Sequence, residues 1–293
     1  MLSLIVRRFL LSRGGFLLCG ILLLLTASAG SPARAVEPRM LRFATYASER
    51  PSEELKKMEP FQQHLEQAMR QAGLPIQLKI RIFPSYDEAV DAVVSGDVDI
   101  ARLGPVSYVT AKARQLKLPL LAMESSKGTK HFNGVILVPL TSSIMTLADL
   151  RGKRFAFGEP LSTTGRYLAQ AALFDAGIRA SDFADMDYLG RHDKVAFAVA
   201  AGTYDAGAVN ENTLIKYKES KGLRKLAVFA SPTHAWVTRV DFDESVSRQV
   251  QKALLEMKGP ALKYIDRDGF LSAQDSDFDE LRKMMRKARL FNE

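Results

Sequence analysis

Hydrophobic and polar positions along the chain follow two alternating periods after residue 36. Apolar runs of strand length occupy 41–46, 79–83, 98–103, 118–123 and 135–138. The segments between them have apolar residues three or four positions apart, which is typical of helices. In one of these segments apolar residues recur at helical spacing from Leu55 to Met69, and because proline is favoured in a first turn, Pro60 predicts that the helix restarts there. The alternation predicts an α/β fold with mostly parallel sheets covered by helices on both faces.

The pattern restarts after residue 140, so the chain is predicted to form two similar lobes. Gly96 is predicted to end a helix and Asp99 to begin the next strand, and Gly202 and Asp205 repeat that arrangement. We interpret both aspartates as turn residues at a strand start, a position that Asp favours. The predicted lobes are 36–132 plus 238–293, and 133–237. Ligands of open α/β sheets bind beyond the carboxyl ends of the strands, so we expect a cleft between the lobes.

The first 35 residues have the pattern of a secretory signal peptide. Three arginines precede the apolar run 16–25, and small residues follow as far as Ala33 and Ala35. The apolar run is too short for a comfortable membrane span. We therefore expect cleavage after Ala35 and a periplasmic protein. Cys19 is the chain's one cysteine, so the mature protein must be stable without disulfides.

Composition adds limits on function. The 293 residues carry a formal net charge of +8, with 41 basic and 33 acidic residues. The predicted signal peptide holds four arginines and no acid, which leaves 37 basic and 33 acidic residues, or +4, on the rest. The basic residues are scattered, with no basic stripe interleaved with aromatic residues, so we expect no nucleic-acid partner.

The turn from Gly158 to Tyr167 carries the most specific chemical signal. It joins a predicted strand to a predicted helix and contains Ser162, Thr163, Thr164 and Gly165. The first N–H groups of a helix have no partners within the helix and carry the positive end of its dipole. With hydroxyl donors beside them, they are suited to hold a compact oxyanion. The alternative is that Ser162 or Thr163 only caps the helix.

Five short motifs, in the order in which they follow one another along the chain, resemble those of the phosphate/phosphite/phosphonate-binding proteins of ABC transporters, the PhnD-like group of periplasmic binding proteins. Each motif is weak alone, but together they extend over the whole mature chain. The motifs occupy residues 96–108, 149–157, 162–165, 190–193 and 205–210.

The resemblance implies a two-lobed periplasmic binding protein of type 2 that presents a phosphorus oxyanion to an ABC permease. It implies that hydroxyls of the 162–164 turn grip the phosphono oxygens, that His192 donates to the same group, and that two tyrosines close on it from the first lobe. The alternatives are that His192 is a surface or structural histidine and that Tyr108 is a core aromatic with a satisfied hydroxyl. The predicted ligand-binding residues are Tyr46, Tyr108, Ser162, Thr163, Thr164, His192, Asn210 and His234.

The sequence also bears on the ligand's substituent. Relatives that bind aminoethylphosphonate are expected to carry acids near 210–212 and 232–236 to hold the amine. Here Glu211 is an alternative partner for an amine in the first region, but Asn212 beside it and His234 in the second region bring no fixed negative charge. We therefore expect methylphosphonate or phosphite to bind at least as well as aminoethylphosphonate.

The two alternative classes of function are a hydrolase and a ligand sensor. A hydrolase triad of Ser162, His192 and Asp193 lacks the Gly-x-Ser-x-Gly context of a nucleophile elbow. A sensor that presents its bound state to a membrane kinase shares the fold and the site, and only its partner separates it from a transporter component. We expect no enzyme activity, no cofactor, no metal and a monomer.

Overall fold

Two β-sheets form the framework of the protein in a computed structural model, which describes residues 37–259, 262, 265 and 267–293. The predicted signal peptide and Cys19 lie outside the described residues. The strands are β1 Arg39–Tyr46, β2 Ile76–Phe83, β3 Ile100–Leu103, β4 Leu120–Ser125, β5 His131–Pro139, β6 Arg154–Phe157, β7 Asp185–Tyr188, β8 Ala206–Asn210, β9 Leu223–Pro232, β10 Ala235–Thr238 and β11 Gly269–Leu271.

Helices connect and cover these strands. They are α1 Pro51–Gln71, α2 Tyr86–Ser95, α3 Pro105–Arg114, α4 Leu168–Asp175, α5 His192–Ala200, α6 Glu211–Lys221, α7 Glu244–Glu256 and α8 Asp279–Phe291. A π-helical turn, Thr163–Tyr167, leads into α4. In the described part of the chain, no helix combines the length and the apolar character that a membrane crossing requires.

Both sheets are mixed, where the alternating pattern predicted mostly parallel ones. The first sheet has the order β11-β4-β10-β3-β1-β2 and the second β7-β6-β8-β5-β9. β1 pairs in parallel with β2 and β3, and β6 with β7 and β8. β10 is antiparallel to both β3 and β4, and β5 is antiparallel to both β8 and β9. The chain enters the second sheet through β5 and returns to the first through β10, and each of these two strands runs against both of its neighbours.

The segment that leads from β9 in the second sheet back to β10 in the first, here called the returning chain, changes the predicted division into lobes. β10 lies in the first sheet between β3 and β4, although the sequence assigned 235–237 to the second lobe. α8, assigned to the first lobe, packs along α4 of the second. Its Phe291 is fully buried with Phe155 and Phe157 in the core of the second sheet. The chain therefore passes from one lobe to the other three times.

Helices cover both faces of each sheet, as the sequence predicted. Leu41, Phe43 and Trp236 of the first sheet pack under α1 and α7, and its opposite face packs under α2 and α3. In the second sheet α4 and α8 cover one face, and α5 and α6 cover the other.

Helix α1 runs through Pro60 without the restart that the sequence predicted there. It starts at Pro51 and continues through Pro60 to Gln71. A proline inside a helix removes one backbone hydrogen bond and crowds the preceding turn. Burial of a continuous apolar face, including Phe61 and Leu65, stabilises the helix across that position and outweighs this local cost.

The repeated aspartates stabilise the start of a strand in each lobe, as predicted. Asp99 Oδ2 accepts a 2.8 Å hydrogen bond from the Arg42 backbone N–H, and Asp205 Oδ2 accepts one of 2.8 Å from the Arg154 N–H. Each arginine side chain also binds the same aspartate. Asp99 binds Arg239 in addition, which ties the returning chain to the first lobe.

Candidate functional site

A small pocket lies where strands of the two sheets end. β1 ends at Tyr46, β3 immediately before Gly104, and β8 at Asn210, and all three positions line the pocket. Its volume is about 40 Å³. The position agrees with the expectation that a ligand binds beyond the carboxyl ends of the strands.

The structure brings seven of the eight predicted ligand-binding residues together around the small pocket. From the second lobe come Ser162, Thr163, Thr164, His192 and Asn210; from the first lobe and the returning chain come Tyr46 and His234. None of the described residues that line this pocket is a lysine or an arginine. The donors available to a ligand are therefore neutral hydroxyl, imidazole, amide and backbone N–H groups.

The turn at Ser162–Gly165 folds tightly against the start of α5. Ser162 Oγ accepts a 2.9 Å hydrogen bond from the Gly165 N–H and so caps the helical segment. A Cβ at residue 165 would lie 2.8 Å from Ser162 Oγ and 3.0 Å from His192 Cε1. The glycine is needed for this close approach, which holds the turn beside the imidazole. Ser162 is thus a helix cap, as the alternative interpretation held, and it also lines the pocket.

Thr163 connects this turn to the first lobe. Its Oγ1 accepts a 3.0 Å hydrogen bond from the Val106 N–H near the start of α3. A hydroxyl that accepts a bond can still donate its own proton. Thr163 is 5% exposed, so its hydroxyl is oriented by contacts with protein and not by bulk water.

His192 is the first residue of α5 and is buried in the pocket wall. Its backbone N–H donates to the Ser48 carbonyl at 3.0 Å, which joins the two lobes. Its Nδ1 is buried and has no hydrogen-bond partner among the described residues. Burial, opposed in part by the charge of Asp193, lowers the pKa of His192 to about 4. At neutral pH the side chain is an uncharged imidazole that can donate one hydrogen bond.

His234 lies between β9 and β10 and faces a buried group of charges. Its Nδ1 is 3.4 Å from Glu124 Oε2, without hydrogen-bond geometry. Glu124 is fully buried and binds Arg102 and Arg267. Burial foremost, with the charge of Arg102, lowers the pKa of His234 to about 4. Burial opposes ionisation of Glu124 as well, but the Arg102 charge above all holds the pKa of that carboxyl well below its usual range.

The first lobe contributes aromatic rings and backbone. The Tyr46 hydroxyl accepts a hydrogen bond from the Gly104 N–H, and the Tyr46 ring stacks on Tyr86 at a centroid distance of 3.6 Å. Burial raises the pKa of the Tyr46 hydroxyl, so it stays protonated and able to donate. Tyr86 also lines the pocket, and sequence reasoning missed it. Ser85 caps the start of α2 by accepting from the Glu88 N–H, but such a local cap does not indicate that the helix's first residue faces a ligand site.

Tyr108 does not reach the pocket, so the structure supports the alternative of a core aromatic. Its side chain is fully buried, its ring packs on Phe278 at 4.4 Å, and its hydroxyl donates to Asp275 Oδ1 at 2.9 Å. Tyr108 lies one turn into α3, whereas Gly104 and Pro105 at the start of that helix line the pocket. The motif at 96–108 therefore reaches the pocket through Gly104, but the side chain of its last residue, Tyr108, points into the core.

Asn210 forms the N-cap of α6. Its Oδ1 accepts from the Thr213 N–H at 2.8 Å and from the Thr213 hydroxyl at 3.1 Å. Its amide nitrogen makes no hydrogen bond to a described residue and is available to a ligand. Within the described ranges, no group of three or more His, Cys, Asp or Glu side chains is arranged to hold a metal ion.

Comparison with known proteins identifies the chain's family. The sequence profile of the family described as "ABC transporter, phosphonate, periplasmic substrate-binding protein" matches residues 43–278. The chain belongs to this family. Its members are substrate-binding components of ABC transporters and not enzymes, which confirms the predicted class of function, the two-lobed fold and the absence of an enzyme role.

The relatives in this phosphonate-binding family are distant. The chain is 31% identical over 147 residues to the "Phosphate-import protein PhnD" of Mycolicibacterium smegmatis, a match that covers 47% of the chain and 46% of that protein. It is 26% identical over 240 residues to the "Probable ABC transporter phosphite binding protein PhnD1" of Prochlorococcus marinus, covering 73% of the chain and 80% of that relative. The solved structure of the Prochlorococcus PhnD1 with methylphosphonate superimposes with a TM-score of 0.77 at 20% identity, over 86% of this chain and 99% of that one. This last likeness concerns the fold.

Proposed function

We propose that the small pocket binds the oxyanion group of a phosphonate, phosphite or phosphate. The observation that carries the proposal is the buried, unpartnered His192 Nδ1 beside the hydroxyls of Ser162, Thr163 and Thr164. A buried polar atom without a partner costs free energy, and such atoms are usually satisfied by a ligand, an ion or water. A phosphono oxygen in the pocket satisfies it.

The size of the pocket fits such a group. A cavity needs about 10–15 Å³ of such volume to hold one water molecule, so 40 Å³ leaves room for a compact group of a few atoms. A phosphono group presents three oxygens. The starts of α3, α5 and α6 contribute Gly104, His192 and Asn210 to the wall, so the positive ends of several helix dipoles favour an anion there.

Neutral donors are compatible with a doubly charged ligand. Hydrogen bonds to an ionised acceptor are about twice as strong as those between neutral groups, so hydroxyls and one imidazole can bind a dianion without a lysine or an arginine in contact. The named ligands of the relatives, phosphate and phosphite, and the methylphosphonate bound in the Prochlorococcus structure support this choice.

We further propose that the bound anion favours closure of the lobes. Val106 N–H to Thr163 Oγ1 and His192 N–H to the Ser48 carbonyl are hydrogen bonds from one lobe to the other. Donors from both lobes reach a single anion only in such a closed arrangement, so the ligand binds that state more tightly. The closed protein would act as a monomer and deliver its ligand to an ABC permease in the inner membrane.

Calorimetry with phosphite, methylphosphonate, phosphate and methanesulfonate tests the ligand assignment. Thr163→Ala removes a hydroxyl from the wall, and losing one hydrogen bond to a charged group weakens binding about ten- to a hundred-fold. Thr203→Ala, at an exposed position, is the matched control and leaves affinity unchanged. Absence of heat with every phosphorus oxyanion, or equal affinities for wild type and Thr163→Ala, would overturn the proposal. Preferential binding of methanesulfonate would replace it with a sulfonate ligand.

Export through a cleaved signal peptide is proposed separately. The arginines, apolar run and small residues of 1–35 predict a periplasmic protein that begins at Val36. N-terminal sequencing of protein from the periplasmic fraction checks this. A chain that begins at an acylated Cys19 would show a lipoprotein instead.

A further inference from the structure

A larger cavity adjoins the small pocket. The two share Ser48, Phe132, Asn210 and His234 as walls, and the large cavity has a volume of about 390 Å³ against about 40 Å³ for the small pocket. A methylphosphonate whose oxygens fill the small pocket leaves nearly all of the large cavity to water. The site therefore has room for a ligand with a longer substituent.

Most charged side chains around the large cavity are already in ion pairs. Glu49 lies 2.8 Å from the ammonium of Lys216 and 3.7 Å from that of Lys57. Arg102 is bound to the buried Glu124 through two hydrogen bonds. A ligand gains little from groups whose charges are already paired.

Glu54 differs from the other charged wall residues. It is 6% exposed, its Oε1 accepts one hydrogen bond of 2.9 Å from Ser48 Oγ, and it forms no ion pair with a described residue. The charge of Arg102 attracts it, but that guanidinium is bound to Glu124. A carboxylate offers about four acceptor positions, so Glu54 retains acceptor capacity on a cavity wall shielded from bulk water.

We propose that Glu54 is a specificity-determining residue that accepts hydrogen bonds from an ammonium group on the substituent of the bound phosphonate. The inference rests on the proposed function, with the phosphono group in the small pocket. Ser48 lines that pocket and its hydroxyl contacts Glu54, so the carboxylate lies one hydrogen bond beyond the pocket, where a short alkylammonium chain can reach it. The sequence predicted no preference for an amine-bearing phosphonate, because acids were expected only near 210–212 and 232–236 and not on α1.

Two ligands of equal size isolate this contact. Aminoethylphosphonate and propylphosphonate differ only in the terminal ammonium or methyl group. Wild type is expected to bind aminoethylphosphonate about ten- to a hundred-fold more tightly. Glu54→Gln is expected to abolish most of that preference and to leave the affinities for propylphosphonate and methylphosphonate unchanged. Glu59→Gln, at an exposed position on the same helix, is the matched control and keeps the preference.

The outcomes separate this inference from the proposed function. Equal affinity of wild type for the two ligands, or an equal loss for both in Glu54→Gln, overturns the role of Glu54 and leaves the oxyanion pocket standing. If wild type binds none of the three phosphonates, the proposed function fails and the inference with it. Glu54→Asp keeps the charge on a shorter side chain and is expected to retain part of the preference. If Glu54→Gln does not fold, the wild-type and Glu54→Asp affinities decide the question.

Discussion

The two lobes begin their sheets in the same way but offer a ligand different chemistry. Asp99 and Asp205, each just before a strand, bind the backbone and side chain of an arginine in a neighbouring strand. At the other end of those strands the second lobe presents hydroxyls and an imidazole at helix starts, whereas the first presents stacked tyrosines. The aspartate–arginine contact before each strand is therefore part of the shared scaffold, and the binding chemistry depends on the loops after the strand ends.

The two lobes also differ in which part of a ligand their side chains are suited to contact. Ser162, Thr163 and His192 are small or rigid donors fixed by contacts within and between the lobes, as expected for groups that hold an anion. The first lobe supplies the ring pair of Tyr46 and Tyr86, and α1 brings Glu54 to the adjoining cavity. We infer that the second lobe grips the oxyanion and that the first closes over it and distinguishes substituents.

The largest expected effect is a fall in the free energy of unfolding at low pH. It arises from two buried histidines, one in the second lobe and one in the returning chain. Burial lowers the pKa values of His192 and His234 from 6.5 to about 4. Between these values the unfolded chain binds protons that the folded protein does not, so the free energy of unfolding falls as pH decreases. The loss is about 2 kcal/mol for each histidine between pH 6.5 and 5. Glu159, whose pKa is raised by burial, offsets part of it.

Urea unfolding of the ligand-free protein at pH 7 and pH 5 measures this loss. His192→Gln removes one titrating group and is expected to reduce the difference between the two pH values by about half. An unfolding free energy that is the same at both pH values would show that these histidines are not held neutral by burial.

The next effect distinguishes the two strand-start aspartates. Asp99 has a side chain 9% exposed and binds two arginines, whereas the Asp205 side chain is 31% exposed and binds one. Asp99→Asn is expected to cost about 1.5–3 kcal/mol of unfolding free energy, the usual value for hydrogen bonds to a charged group. Asp205→Asn is expected to cost about 1 kcal/mol or less, because solvent screens the exposed pair. Urea unfolding at pH 7 compares them, and a larger loss for Asp205→Asn would contradict the structural difference.

The smallest effect separates two tyrosines of the first lobe. Tyr46→Phe removes a hydroxyl at the small pocket and is expected to weaken phosphite or methylphosphonate binding by about ten-fold, the lower end of the range for one hydrogen bond to a charged group. Tyr108→Phe removes a hydroxyl bound to Asp275 and is expected to leave affinity unchanged while it costs about 1 kcal/mol of stability. Calorimetry and urea unfolding of both variants check this. A loss of affinity in Tyr108→Phe alone would restore the role that the family resemblance implies for it.

Much of the candidate site could be predicted because its signals are local. The hydroxyls of 162–164 stand at a helix start, and the small Thr164-Gly165 step is visible in the sequence as a turn between a strand and a helix. The repeat of Gly96 and Asp99 in Gly202 and Asp205 predicted two lobes for the same reason, since a helix end and a strand start need particular residues at a fixed spacing. Capping and turn chemistry act over a few residues and can be read without knowing what packs around them.

The sequence by itself thus determined the two-lobed α/β plan and the turn that lines the pocket. Only the tertiary structure decided that β10 enters the first sheet between β3 and β4, that Tyr46 and not Tyr108 faces the pocket, and that Glu54 lines the adjoining cavity. Strand partners far apart in the chain are chosen by packing and hydrogen bonding in the whole sheet. The side of a helix or strand that meets a cleft depends on which surface the core has already buried, and no local pattern records that choice.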